Sequence, residues 1–470
     1  MKRILLVFLL VVGLAYIAGL YHFNSRDPLL KWNWSKIDTS QKSFPKDFVW
    51  GVASAAHQVE GGHQDINNFG WWEKQVDENG VSRILNNDKS GLACDHWNRY
   101  PEDIQLMKKL GVSSYRFSVS WSKIMPEKDR IDSSALQHYV NLCDSLIAEG
   151  ITPMVTFHHF THPLWFHEIG AFEKEENIQY FVDFSELVFN TLKDRVTQWC
   201  TINEPGVYMF SAYFAGEFPP GVSDPVLASK VLENLVKSHV AIYKRIKSLP
   251  GGDQAQIGIV KNMMQMDPLR KYNIMDQLIK YSADANYNEV LLEVFKSGKF
   301  HFNMPTIINY NSTIEEAPNT LDFVGLNYYS HYAFKFTGNL DESLQPLPFP
   351  GETMTDMDYG MYPEGIYRAI KRISELGKPI FITENGLADA EDNRRAEFID
   401  KYLYAVSKAI EDGYDVRGYY YWSLMDNFEW HLGFGERFGL YEVNFETQER
   451  TLRLGAQKYV DIIDDWKEAH

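Results

Sequence analysis

The chain has 470 residues, 45% of them hydrophobic and 23% charged, which is enough apolar material for one large core or for two or three smaller ones. Its formal charge of −17 and pI near 5.3 lack the basic footprint that a phosphate backbone requires, so nucleic acid is not an expected partner. The three cysteines, Cys94, Cys143 and Cys200, are too few and too scattered for a disulfide framework or a zinc site.

Residues 1–23 stand apart from the rest. Lys2 and Arg3 precede an uncharged apolar run from Ile4 to Tyr21, close to the roughly 20 residues that span a bilayer. A small-x-small cleavage signal is missing, since Tyr16-Ile17-Ala18 precedes Gly19. The expectation is an uncleaved anchor with its basic end in the cytoplasm and the catalytic domain outside it. A cleaved signal peptide and a secreted enzyme is the alternative. Residues 24–43 read as a polar tether, and residues 44–470 as one domain without a linker or a shift in composition.

From residue 44 onward strands and helices alternate. Strands are expected at 47–54, 113–121, 152–159, 198–204, 256–261, 321–329, 379–384 and 416–424. Helices are expected at 102–110, 133–148, 178–192, 225–246, 273–296, 363–376, 396–411 and 454–466, with an irregular stretch after 296. Eight strands interleaved with helices predict a single α/β domain, a (β/α)8 TIM barrel with inserted loops. A doubly wound sheet is the alternative. It is less consistent with polar residues at the carboxyl end of nearly every strand, which is where a barrel keeps its site.

Those strand ends carry the candidate chemistry. The fourth ends in Thr201-Ile202-Asn203-Glu204-Pro205 and the seventh in Ile382-Thr383-Glu384-Asn385-Gly386. Alternation puts Thr201 and Asn203 on one face, and Glu204 turns inward only where the pleat relaxes at the strand's end. Two strand-end glutamates, Glu204 and Glu384, are the minimum kit for double-displacement hydrolysis of a glycoside. Gln58 follows the first strand and both donates and accepts, as adjacent sugar hydroxyls require. Arg116, between aromatics in a buried strand, needs an anion, and a carboxylate at the barrel mouth is the obvious one. His158-His159, Asn327-Tyr328-Tyr329, Trp422 and Glu429-Trp430 complete the ring. The histidines at 158, 159, 162 and 167 are read as hydrogen-bonding groups. No metal and no cofactor is expected. Aromatic residues, 14% of the chain, first serve a packed core and second suit the apolar C–H faces of sugars.

Phe48-Val49-Trp50-Gly51, Gln58-Val59-Glu60-Gly61, Tyr115-Arg116-Phe117-Ser118, 201–205, 322–329, 382–386 and 422–430 occur in that order along the chain. In these motifs the chain resembles glycoside hydrolase family 1, the β-glucosidases and relatives. The resemblance implies a retaining β-glycosidase, most simply a β-D-glucosidase, acting on small-molecule or oligosaccharide β-glycosides. Glu204 would be the general acid/base and Glu384 the nucleophile. Asn203 would bind the sugar 2-hydroxyl, and Gln58, His159, Glu429 and Trp430 the 3-, 4- and 6-hydroxyls. Trp422 would floor the site, while Tyr329 and Arg116 orient the nucleophile. Phe160-Thr161 stand where the family often has Trp-Asp, which removes an indole donor. Glu429-Trp430 is the pattern for an unphosphorylated sugar. A transglycosidase using the same intermediate and an inactive carbohydrate-binding relative are the competing readings. The aglycone is expected to meet Trp71, Trp72, Phe214, Phe218 and the loop 330–362.

Overall fold

The computed structural model describes residues 2–470, so Met1 of the 1–23 segment lies outside the described residues. Eight parallel strands close into a barrel: β1 (Val49–Ser54), β2 (Ser114–Ser118), β3 (Thr152–His158), β4 (Gln198–Asn203), β5 (Gln256–Asn262), β6 (Phe323–Asn327), β7 (Ile380–Asn385) and β8 (Val416–Trp422). Each pairs with its neighbours in sequence, and β8 returns to β1 with Ala53 opposite Trp422. The fold is the expected (β/α)8 TIM barrel.

The N-terminal helix is α1 (Lys2–Arg26), and the outer layer consists of α2 (His96–Leu110), α3 (Ser133–Ala148), α4 (Ile178–Leu192), α5 (Pro225–Ser248), α6 (Val290–Ser297), α7 (Pro363–Ile373), α8 (Arg395–Glu411) and α9 (Gln457–Ala469). Local chemistry sets their ends. The Asp132 and Asp224 carboxylates accept from free backbone N–H groups at the starts of α3 and α5, the usual work of an N-cap. Helix α2 starts six residues before the expected 102 and carries Pro101 inside it, at the cost of the bond that its N–H would have made to the Trp97 carbonyl. Between barrel and helices lies one continuous apolar core in which Trp50, Trp121 and Trp199 are fully buried. The three cysteines are free and buried.

Two expectations needed correction, but the helix expected at 273–296 is present: Ile274–Asp284 continues through a π turn at Ala285–Glu289 into α6 with right-handed backbone at each junction. The stretch after it is not irregular: Lys299–Met304 and Ile308–Thr313 form an antiparallel hairpin, with Phe300, Phe302 and Met304 alternating inward. In addition, Thr201 and Asn203 do not share a face. The pairing of β4 with β5 shifts register between Cys200 and Asn203. Thr201 Oγ1 meets His239 Nδ1 of α5 at 2.7 Å, while Asn203 points into the barrel. A bulge re-aims side chains in this way, and bulges gather beside active sites.

Residues 24–43 lie against the barrel. Leu30 N donates to Tyr362 Oη at 3.2 Å, Trp32 N to Glu364 Oε1 at 2.7 Å, and Asp27 pairs with Arg368 at 3.0 Å. From Arg3 to Val12, α1 is exposed. Its later turns pack on helix Ile274–Asp284.

Candidate active site

The two glutamates reach the barrel mouth by different local devices. Glu204 leaves β4 in the left-handed region, at φ 45°, and Pro205 then opens a short helix. This turn brings its carboxyl inward from a position that simple alternation would send elsewhere. Glu384 sits where β7 shifts register against β6, opposite Asn327. Two residues on, a Cβ on Gly386 would lie 1.7 Å from the Trp422 carbonyl oxygen, so only glycine lets β7 pass β8 so closely. Phe160 and Trp430 also hold positive φ, 65° and 51°. Such strain in non-glycine residues collects at functional sites.

Glu384 is buried and receives two hydrogen bonds. Arg116 Nη1 donates to Oε1 at 2.5 Å and Tyr329 Oη donates to Oε2 at 2.7 Å. Burial works against the charge of Arg116, but Glu384 outweighs it and holds the guanidinium above its ordinary range. Arg116 Nη2 donates to Asn203 Oδ1 at 2.7 Å.

That bond fixes the orientation of the Asn203 amide. Its Nδ2 must then face His159 and donate to Nε2, at 3.1 Å. Burial, reinforced by the charge of Arg116, holds His159 well below its ordinary range, so the ring is neutral. With Nε2 accepting, the proton sits on Nδ1, which is buried without a protein partner. His159 is stacked between Trp422 and Trp430, at centroid distances of 5.7 and 5.8 Å.

Glu204 accepts from Asn327 Nδ2 at 2.8 Å and from Asn262 Nδ2 at 3.0 Å, both on Oε1. Each amide is oriented from behind, by the Thr383 hydroxyl and by the Tyr287 hydroxyl respectively. Oε2 is left to carry the proton. Burial, then the charge of Glu384, pushes the Glu204 carboxyl up to about 7 against the pull of the two amides.

Gln58 Nε2 donates to Asn427 Oδ1, Phe428 O and Glu429 Oε2 at 2.9, 3.0 and 3.1 Å, and its Oε1 is buried without a partner. Burial, then Glu436 and Glu384, pushes the Glu429 carboxyl up to about 8. Glu204, Glu384, His159, Tyr329, Trp422, Glu429 and Trp430 line one cavity of about 490 Å3. Asn203, Gln58 and Arg116 stand directly behind it through the bonds above.

Asn262 and Tyr287 were not expected at the site. Asn327, one of the strand-end residues expected there, is the partner of Glu204 at the end of β6. Asn262 fell one residue beyond the strand expected at 256–261, and Tyr287 lies in a π turn that a regular α-helix would not contain. Among the aglycone candidates, Phe214 and Phe218 line the cavity and Trp71 and Trp72 do not. The Trp72 indole instead donates to the Glu217 carbonyl at 3.0 Å. Phe160 packs on Trp430 and Phe218 and supplies no donor. The buried histidines 158 and 162 stack on each other and meet Phe172 edge-on.

Reactive groups gathered at the carboxyl ends of parallel barrel strands mark the enzyme class of (β/α)8 barrels. Comparison with known proteins narrows the class. A family model described as Glycosyl hydrolase family 1 matches residues 40–468. Beta-glucosidase A of Thermotoga maritima is 33% identical over 452 residues, covering 90% of this chain and 98% of that protein. The 1,4-beta-D-glucan glucohydrolase of Thermotoga neapolitana is 32% identical, with 90% and 98% covered. A solved beta-glycosidase from Pyrococcus horikoshii superposes with a TM-score of 0.82 at 38% identity, covering 90% of this chain and 95% of that one. The chain belongs to glycosyl hydrolase family 1. It is a glycoside hydrolase acting on O-glycosyl bonds, of the β-glucosidase type.

Proposed function

We propose that the protein is a retaining β-D-glucosidase that releases a terminal non-reducing sugar by double displacement. The observation that carries this reading is the asymmetry of the two carboxyls. Glu384 is held between Arg116 and Tyr329 as an acceptor, whereas Glu204 is pushed up to about 7 and retains a proton near neutrality. One carboxylate is thereby prepared as nucleophile and the other as acid.

In the first step Glu384 bonds to the anomeric carbon while the glycosidic C–O bond breaks. The Glu204 proton passes to the leaving oxygen. Esterification removes the Glu384 charge, one of the two causes that hold the Glu204 value up, so Glu204 can now act as base. In the second step it takes a proton from water, whose oxygen attacks the anomeric carbon and displaces Glu384. Asn203 serves the 2-hydroxyl, a contact that strengthens in the transition state. Gln58, His159, Glu429 and Trp430 serve the other hydroxyls, with Gln58 Oε1 as acceptor and His159 Nδ1 as donor. Trp422 floors the ring.

A 2-fluoro-β-glucoside with a good leaving group tests the assignment. The expected result is a stable mass increase of one glycosyl group and a labelled peptide containing Glu384. A label elsewhere, or ordinary turnover by Glu204→Gln or Glu384→Gln, would overturn it.

The proposal extends to an uncleaved membrane anchor in α1. Its exposed apolar turns and its packing on the barrel through Tyr16 and Phe23 support that reading. Expressed in cells, the full chain should sediment with membranes and keep its N-terminal residues in the mass spectrum.

A further inference from the structure

The catalytic cavity has two chemically different ends. Around Glu204 and Glu384 it is lined by groups suited to a sugar. Beyond Glu204 its walls are Phe210, Phe214, Met264, Met266, Phe334 and Leu344. No lysine or arginine lines it among the described residues. Six of the chain's 14 methionines do, and thioether chains re-pack around ligands of variable shape.

Three of the polar side chains at this end are already committed. Asn286 donates to the carbonyls of Ser282 and Asn303, and its oxygen accepts from Asn303 N. Asn262 is bonded to Glu204 and Tyr287, and the Ser330 hydroxyl donates to Gly360 O. Beside these three and the phenylalanine, methionine and leucine walls a carbohydrate aglycone would bury hydroxyls without partners, a costly exchange. A hydrocarbon carries no such cost there.

The outer wall of this chamber is also the surface against which α1 packs. Ser282, Ala283, Asn286 and Tyr287, on helix Ile274–Asp284 and its π turn, line the chamber. The same helix and the loop before it meet α1: Tyr16 Oη donates to Tyr272 O of the loop at 2.6 Å, a Cβ on Gly19 would lie 3.5 Å from Ile274 Cδ1, and Phe23 packs on Tyr281. The apolar run of α1 from Ile4 to Tyr21 is about 27 Å long at 1.5 Å per residue, so Tyr16 and Gly19 fall in its last turns. The neighbouring loop presents Arg270, Lys271 and Tyr272, the last 72% exposed, with Met275 and Leu278 beside them. Basic and aromatic residues next to apolar ones are what a lipid headgroup boundary selects. A second hollow of about 1010 Å3 shares Ser282, Asn286 and Met304 with the chamber and reaches Arg26 at the end of α1.

We propose that the natural substrate is an amphiphilic β-glycoside whose long aliphatic aglycone passes from a lipid surface into this chamber. The proposal rests on the β-glycosidase reading of Glu204 and Glu384. Each methylene buried from water multiplies affinity roughly fourfold, so chain length is the variable to read.

The full chain is reconstituted in phosphatidylcholine vesicles and given methyl, butyl and octyl β-D-glucosides below their micelle concentrations, with cellobiose in parallel. The kcat/KM for octyl glucoside is expected to exceed that for methyl glucoside by about thirtyfold or more, with cellobiose below both longer glycosides. Leu344→Glu, at the half-buried edge of the chamber, is expected to reduce the octyl-to-methyl ratio at least tenfold, and Leu344→Met to restore it. A diacyl β-glucosylglycerol incorporated in the vesicles is expected to be cleaved. A flat chain-length series or a preference for cellobiose would overturn the proposal and leave the β-glycosidase reading standing. Turnover of octyl glucoside without cleavage of the vesicle-borne glycolipid would overturn the lipid surface as source. Failure to cleave any of these glycosides would remove both readings.

Discussion

Arg116 ties Glu384 to Asn203: one guanidinium nitrogen donates to the carboxylate at 2.5 Å and the other to the amide oxygen at 2.7 Å. One planar cation thereby positions two groups on different strands. Through Asn203 it also fixes which nitrogen of His159 carries a proton. An ammonium cannot reproduce this fork, because it lacks the fixed pair of parallel donors.

Arg116→Lys is therefore expected to lower kcat by about 10²-fold or more, with a smaller change in KM. Steady-state kinetics with aryl β-glucosides that have good and poor leaving groups will check this. If glycosylation is the step impaired, the loss persists with the good leaving group, which depends little on Glu204.

Asn262 bears on the other carboxyl. Its amide favours the anionic form of Glu204, so removing it raises the carboxyl above its value of about 7. Activity that needs the proton on Glu204 is lost as pH rises through that value. Asn262→Ala should thus move the alkaline limb of the kcat/KM profile to higher pH. Lys261, which burial pulls down to about 7, titrates in the same range, and Lys261→Met separates the two. An unmoved limb in Asn262→Ala would show that Glu204 does not set it.

Much of this arrangement was legible in the sequence, because strand ends announce themselves by an apolar run that stops on polar residues. The eight strands and both glutamates followed from that pattern. The facing of Thr201 did not, since period-two alternation fails at the bulge between Cys200 and Asn203. Nor did the inward turn of Glu204 have a visible cause until its φ of 45° was seen. Asn262 and Tyr287 were hidden by a strand end one residue further on and by a π turn, which has no sequence signature of its own. Residues 24–43 look like a tether because they are polar, but Trp32 and Trp34 within them are interface residues.

Keeping Glu204 buried near neutrality costs stability. Its native value lies above that of an unfolded glutamate, about 4.3, so the native state binds more protons between those values. Stability contributed by this group is present below about pH 4 and lost as pH rises through about 7. Glu204→Gln removes the penalty. Its unfolding free energy should exceed that of the parent at pH 8 by up to about 4 kcal/mol, with a higher melting temperature, and the gap should shrink toward pH 5. Calorimetry across that range decides it, and a constant gap would point to packing instead of charge.

A carboxylate of α7 also holds the segment before the barrel. Glu364, itself 5% exposed, accepts from the backbone N–H of Trp32 at 2.7 Å and from the indole of Trp34 at 3.1 Å. Charged acceptors of this kind contribute about 1.5–3 kcal/mol each, and Trp32 and Trp34 also pack on Tyr404. Glu364→Ala leaves two donors without their carboxylate and frees the segment, while Glu384 and Glu204 are untouched. The expected outcome is rapid proteolysis between residues 28 and 40, a melting temperature lowered by several degrees, and KM for a soluble aryl glucoside close to the parent's. Glu364→Gln, which keeps one acceptor, should fall between the two. Equal protease resistance in all three proteins would mean that the segment is held by its tryptophans alone.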